Sequence, residues 1–143
     1  MEDIISMLTD KDDKLAFENT KKIAAESEFS DKYYSCLPVF ASLLTDRKSY
    51  IRTRAFILCC SQARWDTEGK LLQLLPQMLL LLHDEKPTVV RQCLNALQEL
   101  AAFRPELNES INAELEKIDL SKYKDSMVPL IEKDIRELLE VMK

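Results

Sequence analysis

Apolar residues recur along most of the chain with the period of an α-helix. Val90, Leu94, Leu97 and Ala101 fall at i, i+4, i+7 and i+11, and Cys93 and Leu100 widen that stripe. Ile51, Ala55 and Leu58 take equivalent places earlier, while Leu107, Ile111, Leu115 and Ile118 share a face later. A final helix is predicted from about Met127 to Met142. Between these stretches stand boundary signals. Ser30 or Asp31, Thr67 and Ser126 are candidate N-caps, and Pro87, Pro105 and Pro129 suit first helical turns. Residues 119–125 read as a polar loop.

The helical stretches repeat. Leu37-Pro38-Val39-Phe40-Ala41-Ser42-Leu43-Leu44-Thr45-Asp46 aligns with Leu75-Pro76-Gln77-Met78-Leu79-Leu80-Leu81-Leu82-His83-Asp84, and the two prolines are 38 residues apart. Each segment then crosses a short polar turn into a second helix, opened by Tyr50-Ile51-Arg52 in one case and by Val89-Val90-Arg91 in the other. These two arginines are 39 apart. Leu8-Thr9-Asp10 is a weaker copy of Leu44-Thr45-Asp46; Leu15 falls where Ile51 does, but Ala16 replaces the arginine. The C-terminal stretch shows neither the Asp turn nor the apolar-Arg opening. Degenerate outer units are expected of caps that face water on one side.

Proline in a first helix, a leucine run, Asp at the turn, then a β-branched residue and Arg opening a second helix: this pattern resembles the HEAT-repeat (armadillo-like helical) family, in its small bacterial type. The resemblance implies an all-α, right-handed α-α superhelix of about four helix pairs in one domain, near residues 1–29, 30–66, 67–104 and 105–143. It also gives Asp46, Arg52, Asp84 and Arg91 a structural role, as a ladder joining adjacent repeats. The guanidinium fork suits such carboxylates.

In HEAT stacks the second helices line the inner surface. Removing the core stripe leaves Thr53, Phe56, Ile57, Cys60 and Arg64 from the second unit, and Gln92, Asn95, Ala96, Glu99 and Phe103 from the third, with Trp65 alongside. Aromatics and Arg are enriched at interface hot spots. Phe56 and Ile57 fit either the groove or the core, since periodicity alone does not separate them. A short groove of this kind suits one helix or an extended peptide of another protein.

Composition narrows the chemistry. The chain holds a single glycine, Gly69, which argues against phosphate-cradling loops and nucleotide fingerprints. Cys36, Cys59, Cys60 and Cys93 lack Cys-x-x-Cys spacing and read as small buried hydrophobes in a reduced, cytoplasmic setting. Cys60, opposite Glu99 in the repeat register, is expected to be the more accessible of the vicinal thiols. His83 is the only histidine, at a helix end beside Asp84, where a cation is favourable. No nucleophile elbow accompanies it. No catalytic residue, metal site or cofactor is therefore expected. The acidic opening Met1-Glu2-Asp3-Ile4-Ile5 lacks a signal-peptide pattern, and the most apolar run, Leu71 to Leu82, is too short and polar to span a bilayer.

Net charge is −5, divided as −5 over residues 1–31, +4 over 32–70, 0 over 71–104 and −4 over 105–143. The basic block of Arg47, Lys48, Arg52, Arg54 and Arg64 lies near Tyr50 and Trp65. Nucleic-acid binding needs a broader positive footprint, so the block reads as a solvated face plus ladder arginines. The expected function is a noncatalytic scaffold or adaptor for a partner protein, itself a monomer or weak oligomer. The alternatives are a nucleic-acid-binding or DNA-repair protein of HEAT-like fold, and an accessory subunit of an enzyme or cluster-assembly system.

Overall fold

A computed structural model describes residues 2–143; Met1, counted in the first helix pair by the sequence reading, lies outside the described residues. Those residues form eight α-helices, five short 3-10 turns and no strand. The helices fall into four pairs: α1 (Glu2–Leu8) with α2 (Asp13–Glu26), α3 (Leu37–Ser42) with α4 (Ser49–Cys60), α5 (Lys70–Leu79) with α6 (Pro87–Phe103), and α7 (Asn108–Leu115) with α8 (Val128–Val141). The second helices pack in chain order, α2 on α4, α4 on α6 and α6 on α8. This is an all-α solenoid. No single pair could bury its apolar face alone, and stacking supplies the missing cover.

The longest helix shows how the sequence sets its limits. Pro87 opens α6 at the first turn, where its missing N–H costs nothing. The next proline, Pro105, follows the end of the helix at Phe103 and Arg104. Between them Val90, Leu94, Leu97 and Leu100 are wholly buried, each worth about 1.5–3 kcal/mol on removal from water.

The two aligned prolines sit differently. Pro38 stands in the first turn of α3, whereas Pro76 lies inside α5 and removes one internal hydrogen bond there. The difference comes from where the first helix begins. Asp66 receives the N–H groups of Lys70 and Leu71, both at 2.9 Å, and so starts α5 early. Gly69, at φ 71°, lets the chain turn back over that carboxylate. The cap is thus Asp66, not the expected Thr67, which is exposed. Neither Ser30 nor Asp31 caps α3, which follows a 3-10 turn at Tyr34–Cys36. Ser126 does not cap α8 either; Met127 stands at that position without a side-chain bond.

One turn device recurs in every unit. Asp10, Asp46, Asp84 and Asp119 each accept the backbone N–H two residues on, at 2.9, 2.9, 3.0 and 3.0 Å respectively. The fourth unit therefore has its Asp turn after all. It escaped the alignment because Ile118 precedes it in place of the leucine-rich run. The expected polar loop at 119–125 also holds a 3-10 turn and a buried Tyr123.

Candidate interaction groove

Two polar seams fix the units to one another and so set the shape of the surface between them. Along the turn edge, Arg52 donates through Nη2 to Asp84 of the next unit at 2.6 Å, and through Nη1 to the carbonyls of Asp46 and Arg47. Tyr123 Oη then donates to the Asp84 carbonyl and Lys122 Nζ to that of His83, both at 2.5 Å. Arg54 ties the first unit in, donating to the Leu8 carbonyl at 2.9 Å. Along the opposite edge, Trp65 Nε1 donates to the Ser27 carbonyl at 2.6 Å, Gln62 Nε2 to Ser27 Oγ at 3.0 Å, and Arg104 Nε to the Ala63 carbonyl at 2.8 Å.

Held between these seams, α2, α4 and α6 enclose a groove. Two cavities of about 360 and 430 Å³ lie side by side along it, with Phe17, Ile57 and Gln92 in the lining of both. Thr53 and Ile57 of α4 make the floor. Lys14, Phe17, Lys21 and Ala24 of α2 make one wall, and Thr88, Gln92, Asn95 and Ala96 of α6 the other. From Asp13 to Ala24 the α2 wall spans about 16 Å at 1.5 Å per residue, or three helical turns. Thr53 keeps its hydroxyl satisfied on the Ser49 carbonyl at 2.9 Å.

The expected site residues divide into three groups. Thr53, Ile57, Gln92, Asn95 and Ala96 line the groove. Arg64, Trp65, Glu99 and Phe103 gather beyond its end, where Arg64 bonds Glu99 at 3.4 Å and the Glu28 carbonyl at 3.1 Å, with its guanidinium 4.4 Å from the Phe103 ring centre. Burial pushes the Glu99 carboxyl above its usual range, and Arg64 offsets part of that rise. Phe56 and Cys60 belong to neither group. Both are buried in the core at 0% and 1% exposure. Phe56 turns to the interior side of α4 while Ile57 turns to the groove, and Cys60 is not the accessible thiol.

Sequence reasoning missed the α2 wall altogether. Phe17 is 44% exposed and faces the groove, so the first unit is a wall of the groove as well as a cap. Its signal is a large aromatic one residue beyond the buried Ala16, exposed on α2 as Leu15 also is. The ladder is also incomplete as drawn. Asp46 meets Lys48 N within its own turn, and Arg91 reaches not a turn but Asp134 on α8, through Nε at 2.7 Å. Three of the four arginines of the basic block are engaged inside the chain, Arg52 on Asp84, Arg54 on Leu8 and Asp13, and Arg64 on Glu99, while Arg47 is exposed.

The remaining reactive groups are quiet. Cys59, Cys60 and Cys93 are buried and Cys36 half-buried, all as free thiols. Burial pushes the Cys59 thiol up to about 12 and those of Cys60 and Cys93 well above the ordinary value. His83 Nε2 contacts Glu114 at 2.5 Å, joining the third unit to the fourth. Among the described residues no helix is long and apolar enough to cross a membrane, and no group of three or more His, Cys, Asp or Glu could hold a metal ion.

Stacked helix pairs and two polar seams that join successive units define an all-α helical-repeat protein. The family is Cnd1, described as non-SMC mitotic condensation complex subunit 1, whose model matches residues 27–142, and the chain belongs to it. That match supports the HEAT-like helical family and carries nothing specifically bacterial. No curated protein and no solved structure matches the chain.

Proposed function

We propose that this chain is a noncatalytic interaction scaffold that holds a helix or extended peptide of a partner protein in the groove between α2, α4 and α6. The carrying observation is that two cavities along these helices share Phe17, Ile57 and Gln92 in their linings. A channel of about three helical turns matches the helix-in-groove mode of recognition. Gln92 offers its side-chain amide and Asn95 its Oδ1 to a bound backbone, with Asn95 Nδ2 donating to the Arg91 carbonyl at 2.8 Å, and Phe17 and Ile57 offer apolar contact. The family's description, a subunit of a condensation complex, supports a role within an assembly of proteins. The four free thiols support a reducing, cytoplasmic setting. The engagement of Arg52, Arg54 and Arg64 within the chain weighs against the nucleic-acid alternative.

The test begins with affinity purification from the native cell and identification of the bound protein by mass spectrometry. Ile57→Glu, on the groove floor, is expected to release that partner while the chain stays folded, its melting temperature lower by only a few degrees. Phe29→Ser, at a residue 86% exposed and outside the groove, is expected to leave it bound. A partner held with equal affinity by wild type and a folded Ile57→Glu variant would overturn the reading.

A further inference from the structure

The groove carries a charge that the chain as a whole does not. Lys14 and Lys21 stand on its α2 wall. At one end Lys86 Nζ reaches Ser49 Oγ at 3.0 Å, and Lys48 lies 5.8 Å from the Tyr50 ring centre; Ser49 and Tyr50 both line the first cavity. Among the described residues, none of these four lysines pairs with a carboxylate. The only acid lining either cavity is Asp13, and it faces Arg54 at 3.6 Å. Glu18 lies on α2 between Lys14 and Lys21 but lines neither cavity, and Glu99 beyond the far end is matched by Arg64. The result is a channel with an apolar strip along its middle (Phe17, Ala24, Ile57, Ala96) and uncompensated cations at its rim, in a protein of net charge −5.

Resting on the reading of this groove as a peptide site, we propose that its occupant is an acidic amphipathic segment of a protein. Such a segment would set one or two large apolar side chains on the strip, with Asp or Glu on the flanks meeting Lys14, Lys21, Lys48 and Lys86. Complementary charge across a rim sets partner choice and association rate. A nucleic acid fits less well. A single strand needs open aromatic faces for stacking, and here Lys21 sits 5.2 Å from the Phe17 ring centre while Arg54 and Lys48 sit 5.0 and 5.8 Å from that of Tyr50. A duplex needs a broad cationic surface, and the lysines here stand only along the rim of one short groove.

A random 16-residue peptide library displayed on phage, selected against the full chain, tests this directly. The expected winners carry a surplus of Asp and Glu around one or two large apolar residues. Their synthetic copies are expected to bind about tenfold more weakly to a Lys14→Glu, Lys21→Glu double variant, and more weakly again as salt screens the rim. Neutral or basic winners that are lost on Ile57→Glu would overturn the acidic occupant and leave the groove reading standing. Winners indifferent to Ile57→Glu, or no enrichment at all, would overturn both. A 30-base-pair duplex that displaces the winning peptides and binds more tightly than they do would give the rim to nucleic acid and overturn the proposal.

Discussion

Arg91 of α6 grips the buried carboxylate of Asp134 on α8, with Nε at 2.7 Å and Nη2 at 3.4 Å. Asp134 is 3% exposed, between Ile131 and Leu138 on the same face of its helix. The fork of Arg91 is what allows a carboxylate in that position, and the pairing raises the guanidinium's own pKa. Its removal leaves a desolvated charge without a partner. Arg91→Met is expected to cost about 2–3 kcal/mol in urea unfolding, below the full buried-pair range because the arginine is partly solvated. Arg91→Met combined with Asp134→Leu is expected to return to within about 1 kcal/mol of wild type, since an apolar pair of similar volume avoids the desolvation. A double variant no more stable than Arg91→Met would show that the bond itself holds α8 in place.

Much of this architecture was legible beforehand, and the reasons for the gaps are physical. The α6 stripe and the Arg52 and Arg91 openings were read correctly because helical period and turn chemistry are local properties. Partner choice is not local. Arg91 finds Asp134, 43 residues away, and the signal for it was an acid at i+3 within the stripe Ile131, Ile135 and Leu138. In the groove, Thr53, Ile57, Gln92 and Asn95 were placed from register alone. Phe56 is ambiguous by sequence because the second half of α4, residues 55–60, is apolar at every position, and such a stretch has no distinguishable faces. Phe17 was missed because its place depends on how α2 packs against α4.

The adjacent residues Phe56 and Ile57 separate packing from binding. Phe56 is fully enclosed, so Phe56→Ala is expected to cost about 3–5 kcal/mol through lost contacts and a residual cavity. For a chain of this size that lowers the melting temperature by roughly 10 °C. Ile57 lies half-buried on the groove floor, and Ile57→Ala is expected to cost about 1 kcal/mol. Scanning calorimetry of the two variants checks the contrast. Equal losses would place both side chains in the core.

Thiol labelling reads the same core by another route. At pH 8 the native chain is expected to react rapidly with a maleimide at Cys36 alone, and at all four cysteines once unfolded in guanidinium. Burial holds the Cys59 thiol protonated, at about 12, and raises those of Cys60 and Cys93 well above the ordinary value. Labelling of these three should therefore follow global unfolding, slowing as stability rises. Mass-resolved labelling at a series of denaturant concentrations makes the comparison. Rapid native labelling of Cys60 would mean that the end of α4 opens locally.

Glu99 gives the fold a pH dependence of its own. Its carboxyl is pushed up by burial foremost, with Arg64 lowering it and Glu28 raising it. The folded state consequently holds the proton to a higher pH than the unfolded chain does. Stability from this group is present at low pH and is lost as pH rises from the ordinary Glu value through the raised folded value. Glu99→Gln keeps an acceptor for Arg64 Nη2 but cannot ionise, so it escapes that loss. The variant's melting temperature relative to wild type is expected to rise between pH 4 and pH 7, and to level off once Glu99 is ionised in both states. Melting curves at half-unit intervals supply the comparison. A difference that stayed flat, or moved in favour of wild type, would mean that Arg64 stabilises the carboxylate by more than burial penalises it. In that case the Arg64–Glu99 pair at the end of the groove would act as a clasp between the second and third units.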